Sequence, residues 1–169
     1  MNSTALHTPI GWLKISEEEG MVTEITHRGY SRDFNETNTP LLDEVKKQLV
    51  EYFDGARYTF DLPLKITGSD FNKKVLEELS KVPYGQTVSY GELAKRCGKP
   101  KAARAVGTAM RNNPFVIVLP CHRVLPQSGK IGNYSAGGPA NKDWLLTFEK
   151  HNSGDNLFGN PLIVAFFGL

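Results

Sequence analysis

The sequence predicts an α/β N-terminal domain, a small antiparallel sheet with one helix over residues 1–67, followed by a mainly helical C-terminal domain with a helix-turn-helix over residues 68–155. Three observations carry this reading. Residues 10–26 form two strand-like runs around an acidic turn, residues 71–111 hold three short helical patterns separated by glycine and proline, and charge divides between the halves. Residues 1–60 contain six Lys or Arg against ten Asp or Glu, a net of −4, whereas residues 90–130 contain eight against one, a net of +7. The whole-chain charge of +2 hides this asymmetry. A basic block in a near-neutral protein points to a polyanionic partner or to a solvated basic face.

In the first domain, Ile10 to Ile15 and Met21 to Thr26 read as strands joined by the turn Ser16 to Gly20. A helix follows Pro40, with Leu42, Val45, Leu49, Val50 and Phe53 at helical spacing and Gly55 as its stop. Tyr58 to Phe60 with Leu62 reads as a further short strand, and Leu62 to Gly68 as the join between the halves. His7 and His27 read as surface and fold features rather than a site.

Ser69 and Asp70 cap a helix from about Phe71 to Ser80, with Phe71, Val75, Leu76 and Leu79 on one face, and Pro83-Tyr84-Gly85 breaks the chain. Ser89 caps a helix from Tyr90 to about Cys97, with Glu92 placed for a capping box, and Gly98 ends it. Pro100 suits the first turn of a third helix that runs to Arg111 and stops at Asn112-Asn113-Pro114. These last two form the helix-turn-helix pattern. On the second of them Ala102, Ala105, Val106, Ala109 and Met110 make an apolar stripe, while Lys101, Arg104, Thr108 and Arg111 share another face. Its small residues, including Ala103 and Gly107, allow close approach to another surface.

Phe115 to Leu119, bracketed by Pro114 and Pro120, reads as a short buried strand or extended segment that delivers Cys121 to a fixed place. A single cysteine is more often a core hydrophobe than a nucleophile. His122 and Arg123 follow at once, however, and positive neighbours lower a thiol pKa. Cys97 lies 24 positions away without a paired spacing, so neither a disulfide nor a metal site is expected. A glycine-rich loop, Gly132 to Pro139, can cover a site and offer backbone donors. The last helix spans about Ala140 to Lys150, with Trp144, Leu145 and Phe148 apolar. Glu149 near its end is disfavoured by the helix dipole, which predicts a cationic or hydrogen-bonded partner, His122 being a candidate. Residues 156–169 form a tail without an assigned role, whose apolar Pro161 to Leu169 is too short to span a bilayer. The absence of a signal-like leader and of a long apolar run predicts an intracellular, reduced, non-membrane protein, cytoplasmic in a prokaryote or nuclear in a eukaryote.

Taken together, Val82-Pro83-Tyr84-Gly85, Val88 to Ala94, Pro100 to Gly107, Asn113-Pro114, Pro120-Cys121-His122-Arg123-Val124 and Trp144-Leu145-Leu146 resemble the O6-alkylguanine-DNA alkyltransferases, or methylated-DNA:protein-cysteine methyltransferases. The resemblance covers roughly Phe71 to Lys150, and in this order and spacing the motifs are specific. It implies DNA repair by irreversible transfer of an alkyl group from O6-alkylguanine, and from O4-alkylthymine, in duplex DNA to Cys121, after minor-groove binding and base flipping. It further implies that His122 takes the thiol proton through a water, that Glu149 orients His122, that Tyr90 assists the departing guanine, and that Asn113 couples the recognition helix to the cysteine. The Ser135 amide and the carbonyls of Cys121 and Val124 would meet the base, with Met110 and Tyr134 completing its pocket. Arg104 would fill the space left by the flipped base, with Lys101, Ala102, Ala103, Gly107, Arg111 and Arg123 along the DNA. The expected partner is double-stranded DNA carrying the lesion, bound by a monomer, with cooperative binding left open. No cofactor is expected. Because residues 1–60 hold no cysteine, the N-terminal zinc of some relatives is not expected either. Three rivals stand beside this reading: a relative that binds the lesion without reacting, a cysteine hydrolase using Cys121, His122 and Glu149, and a helix-turn-helix transcription regulator.

Overall fold

A computed structural model describes residues 1–29 and 34–154. The chain opens with an antiparallel meander, β1 (Asn2–Thr8), β2 (Gly11–Glu18) and β3 (Met21–Gly29), in the order β1-β2-β3. Glu19 and Gly20, both at positive φ (53° and 79°), make the two-residue turn between β2 and β3. The sheet is larger than the hydrophobic pattern suggests. β1, which has few apolar residues, was not anticipated, and Ser16 to Glu18 lie in β2 rather than in a turn. Several of their polar side chains pair across the strands: Ser3 Oγ lies 2.8 Å from Ser16 Oγ, Ser16 Oγ donates to Glu24 (2.9 Å), and Asn2 Nδ2 donates to Glu17 (2.7 Å). Buried polar residues paired in this way leave no hydrophobic alternation to read.

Helix α1 (Pro40–Phe53) starts at Thr39, whose hydroxyl accepts from the Leu42 amide. Its buried face is Leu42, Val45, Leu49 and Tyr52 rather than the Val50 and Phe53 edge, and Val50 is exposed. The expected strand at 58–62 does not form. Phe60 and Leu62 are buried, and the chain instead meets the edge of β3 at Leu64, with Val22 N–H donating to the Pro63 carbonyl (2.7 Å) and Lys65 N–H to that of Val22 (2.9 Å).

The second half is helical. Helix α2 (Asp70–Leu79) is capped by Ser69, and α3 (Tyr90–Arg96) by Ser89, which accepts from the Glu92 amide at 3.0 Å. The Glu92 carboxylate turns to Arg96 (3.5 Å) instead of closing a capping box. Gly98 at φ 79° ends α3, and α4 covers Ala103–Arg111. It therefore begins three residues after Pro100, which lies in the connecting turn; Ala102 is the cap and offers no side-chain hydrogen bond. Two short strands, β4 (Val88–Ser89) and β5 (Val124–Leu125), pair in parallel and bring Tyr90 beside the cysteine segment. Helix α5 spans Pro139–Gly154 and so runs beyond Lys150, leaving Glu149 inside the helix rather than at its end.

Phe115 to Leu119 is not a strand. A single bridge joins it to β3, with Ile25 N–H donating to the Pro114 carbonyl (2.7 Å) and Val116 N–H to that of Ile25 (3.1 Å). The chain then turns tightly: Ile117 sits at φ 73°, and Val118 N–H reaches back to the Val116 carbonyl at 2.8 Å. A β-branched residue in this γ-turn is strained. Asn113 holds it in place. Its Nδ2 donates to the Leu119 carbonyl (2.9 Å) and its Oδ1 accepts from the Phe115 amide (2.9 Å). The buried apolar residues of both halves form one core, from Leu13 and Ile25 through Phe115 and Leu119 to Leu145. Among the described residues no helix is long and apolar enough to cross a membrane. Pro161 to Leu169 lie outside the described residues.

Candidate active site

Cys121 opens a 3-10 turn, Cys121–Arg123, directly after the strained γ-turn, and is 3% exposed. It lies in the wall of a cavity of about 800 Å³ that Tyr90, Met110, Tyr134 and Ser135 also line, with Ala103, Arg104, Gly107 and Arg111 of α4 along one side. This size suits a small-molecule or single-base ligand. Small residues keep α4 close: a Cβ on Gly107 would already touch the Tyr90 ring at 3.9 Å.

Behind the cysteine lies a buried ionic cluster. His122 is fully buried and its Nε2 is 2.6 Å from Glu149 Oε2. Arg123 Nε donates to Glu149 Oε1 (2.8 Å) and Nη2 to Oε2 (3.0 Å), while Nη1 donates to the Val82 carbonyl (2.7 Å). Tyr52 of α1 adds a third donor to Oε2, at 2.6 Å. Despite its burial, Glu149 is held far below the usual carboxylate range, because His122 and Arg123 together outweigh the desolvation cost. Burial lowers the His122 pKa against the pull of Glu149, so the imidazole is neutral near pH 7. With a carboxylate on Nε2 the ring proton sits there, and Nδ1 is left as a lone pair with no protein partner among the described residues.

The thiol itself departs from expectation. Burial raises the Cys121 pKa, and the groups opposing it are the Asn113 amide, the Lys142 charge and a backbone hydrogen bond. His122 is neutral and the Arg123 charge is spent on Glu149, so neither neighbour in sequence supplies a positive charge that lowers the thiol pKa. The nearby charge that opposes the rise is Lys142 of α5. It is fully buried, donates to the carbonyls of Val124 (2.7 Å) and Asn133 (3.1 Å), and has its pKa pulled down to about 8 by burial. Tyr90 and Tyr134 are also shifted upward by burial, Tyr134 strongly, and both remain phenols at working pH. The Tyr134 hydroxyl is buried without a protein partner among the described residues.

The sequence matches the 6-O-methylguanine DNA methyltransferase ribonuclease-like domain over residues 1–66 and the DNA-binding domain of the same enzymes over residues 70–151. It is 40% identical to the constitutive methylated-DNA–protein-cysteine methyltransferase of Bacillus subtilis, covering 87% of this chain and 94% of that protein. The chain belongs to the methylated-DNA–protein-cysteine methyltransferase family. Among solved methyltransferases, Mycobacterium tuberculosis OGT in complex with DNA superposes with a TM-score of 0.80 at 37% identity, over 90% of this chain and 94% of that one. The O6-methylguanine-DNA methyltransferase of Pyrococcus kodakaraensis gives 0.62 at 31% identity, over 88% and 98%.

Of the residues expected at this methyltransferase site, Cys121, Tyr90, Met110, Tyr134, Ser135, Ala103, Arg104, Gly107 and Arg111 meet at the cavity. His122, Glu149 and Asn113 stand behind it. Val124 is fully buried and its carbonyl already accepts from Lys142. Lys101 is exposed in the turn before α4, and Ala102 is half-buried beside it. Arg123 is a correction. Its guanidinium, expected along DNA, is buried and committed to Glu149 and Val82. Two residues were missed, Lys142 and Tyr52. Lys142 precedes Leu145 by three positions and Glu149 by seven, so it shares their helix face, and a lysine on a buried stripe is itself a signal.

Proposed function

We propose that this protein repairs duplex DNA by moving the alkyl group of O6-alkylguanine onto Cys121 Sγ. The single observation that carries the proposal is a buried thiol in the wall of a base-sized cavity, with a neutral His122 backed by Glu149 directly behind it. His122 Nδ1 takes the thiol proton through a water, and Lys142 holds the charge of the thiolate. The thiolate attacks the saturated carbon, an S–C bond forms, the C–O6 bond breaks, and its electron pair leaves with the base. Guanine recovers a proton as it departs, assisted by the Tyr90 phenol. The step balances without a co-reactant. The product is a thioether, which the described residues lining the cavity offer no group to cleave, so each molecule reacts once.

Access requires the base to leave the stack. α4 lies along the cavity, and its Arg104 and Arg111 are exposed at the rim, which supports minor-groove docking with Arg104 filling the vacated space. The Tyr134 hydroxyl and the Ser135 amide are donors for the flipped base, Met110 packs against it, and a DNA substrate implies an intracellular site of action. O4-alkylthymine presents the same ether carbon to the thiolate and belongs to the same substrate class. The test is Cys121→Ala with a duplex bearing O6-methylguanine. The variant keeps its affinity for the lesion and loses transfer completely; residual methyl transfer to the protein would contradict the assignment.

A further inference from the structure

We propose that Tyr52 is a positioning residue for this transfer: through its hydrogen bond to Glu149, the N-terminal domain fixes the carboxylate against His122 and keeps the imidazole in its neutral, proton-accepting form. The inference rests on the Cys121, His122 and Glu149 roles given above.

Tyr52 closes the buried stripe of α1, and its hydroxyl spans 97 positions of sequence to reach Glu149. At a core position of this kind the ring alone supplies the packing, whereas a buried hydroxyl needs a partner. The partner here is the one oxygen, Oε2, that His122 Nε2 also uses, with both contacts at 2.6 Å. Arg123 Nη2 is the third donor at 3.0 Å. Donation by a phenol draws charge from that oxygen, so Glu149 stabilises an imidazolium less than it would alone. Burial, together with the negative charge of Glu149, keeps Tyr52 protonated far into alkaline pH, so the donor is always present. Its ring packs against Phe53, Phe60, Tyr84 and Phe148 and does not line the cavity, so its influence passes through Glu149. The other titratable and charged groups facing His122 and Glu149 are Arg123 beside them, Tyr84 from the loop after α2, Tyr134 from the glycine-rich loop, and Lys142 from α5.

The experiment measures single-turnover methyl transfer from an O6-methylguanine duplex between pH 5 and 9, with thermal unfolding in parallel, for the natural protein, Tyr52→Phe and His122→Gln. Removing the phenol strengthens the pull of Glu149 on the His122 proton. The acid limb of the Tyr52→Phe profile therefore moves to higher pH, slowing transfer near pH 6 by about threefold to tenfold while the rate near pH 8 stays within about twofold. A Tyr52→Phe limb that coincides with the natural one overturns the proposal, whatever happens to Tm. An acid limb that survives His122→Gln overturns the underlying assignment of the base instead. Incorporating 3,5-difluorotyrosine at position 52 keeps the ring and strengthens the donor. The limb then moves to lower pH, and a shift upward contradicts the proposal even if Tyr52→Phe folds poorly.

Discussion

The groups that oppose the burial of the Cys121 thiol do not neighbour it in the chain. Burial pushes its thiol up, and the buried ammonium of Lys142 and the Asn113 amide push it back. Because the Lys142 pKa is about 8, that support is present below pH 8 and fades above it. Lys142→Met, which keeps an unbranched side chain and loses the charge, raises the thiol pKa and slows transfer at pH 7 by about tenfold for each unit of that rise. The deficit narrows as the pH passes about 8, where the natural protein loses the same charge. Rates of Cys121 alkylation by iodoacetamide from pH 6 to 10 measure this, and a constant deficit across the range would exclude the electrostatic role. At this scale the sequence was readable where a residue's role is written in its own motif. Cys121, His122 and Arg104 stand in runs that identify them. Tyr52 and Lys142 were not, because each acts through a contact made only on folding, at 97 positions for Tyr52 and 18 for Lys142 with Val124. Arg123 was misplaced for the same reason: beside a thiol in sequence it reads as an activating or DNA-facing charge, and only the fold supplies Glu149 to absorb it.

Helices were legible because their signals are local. Ser69 and Ser89 cap where their positions predict, Pro40 opens α1 as expected, and glycines at positive φ follow α1 and α3. Strands were less so. β1 is held by its ladder to β2 and by buried polar pairs, and the run before Cys121 has strand composition but is bent by Asn113 and the sheet edge into a γ-turn. The start of α4 was placed early because Pro100 is acceptable at a first turn, although the chain uses it in the preceding connection. α4 also carries the clearest element-scale expectation. Arg104→Ala, a change at an exposed position, leaves stability within about 0.5 kcal/mol. Under the flipping proposed above, it slows transfer from duplex DNA by about tenfold more than transfer from free O6-methylguanine, since the free base leaves no stack to fill. Equal losses on the two substrates would assign Arg104 a part in the chemistry rather than in extrusion.

The whole molecule joins an acidic α/β domain to a basic helical one through the same contacts that build the site. The edge of β3 binds the segment leading to Cys121, the carbonyl of Ile10 accepts from Asn141 at the foot of the glycine-rich loop (3.0 Å), and Tyr52 reaches Glu149. The first domain therefore contributes geometry rather than reacting groups, which explains why its sequence shows no chemistry. In the proposed reaction Cys121 itself is the acceptor of the alkyl group. Intact-mass measurement and peptide mapping after mixing the protein with a duplex containing O6-methylguanine test it most directly. The expected result is one added methyl group per molecule, about 14 Da, confined to the peptide bearing Cys121 and unchanged by further excess of substrate. A modification on another residue, or an unmodified protein that holds the lesion or releases methylated product repeatedly, would contradict it.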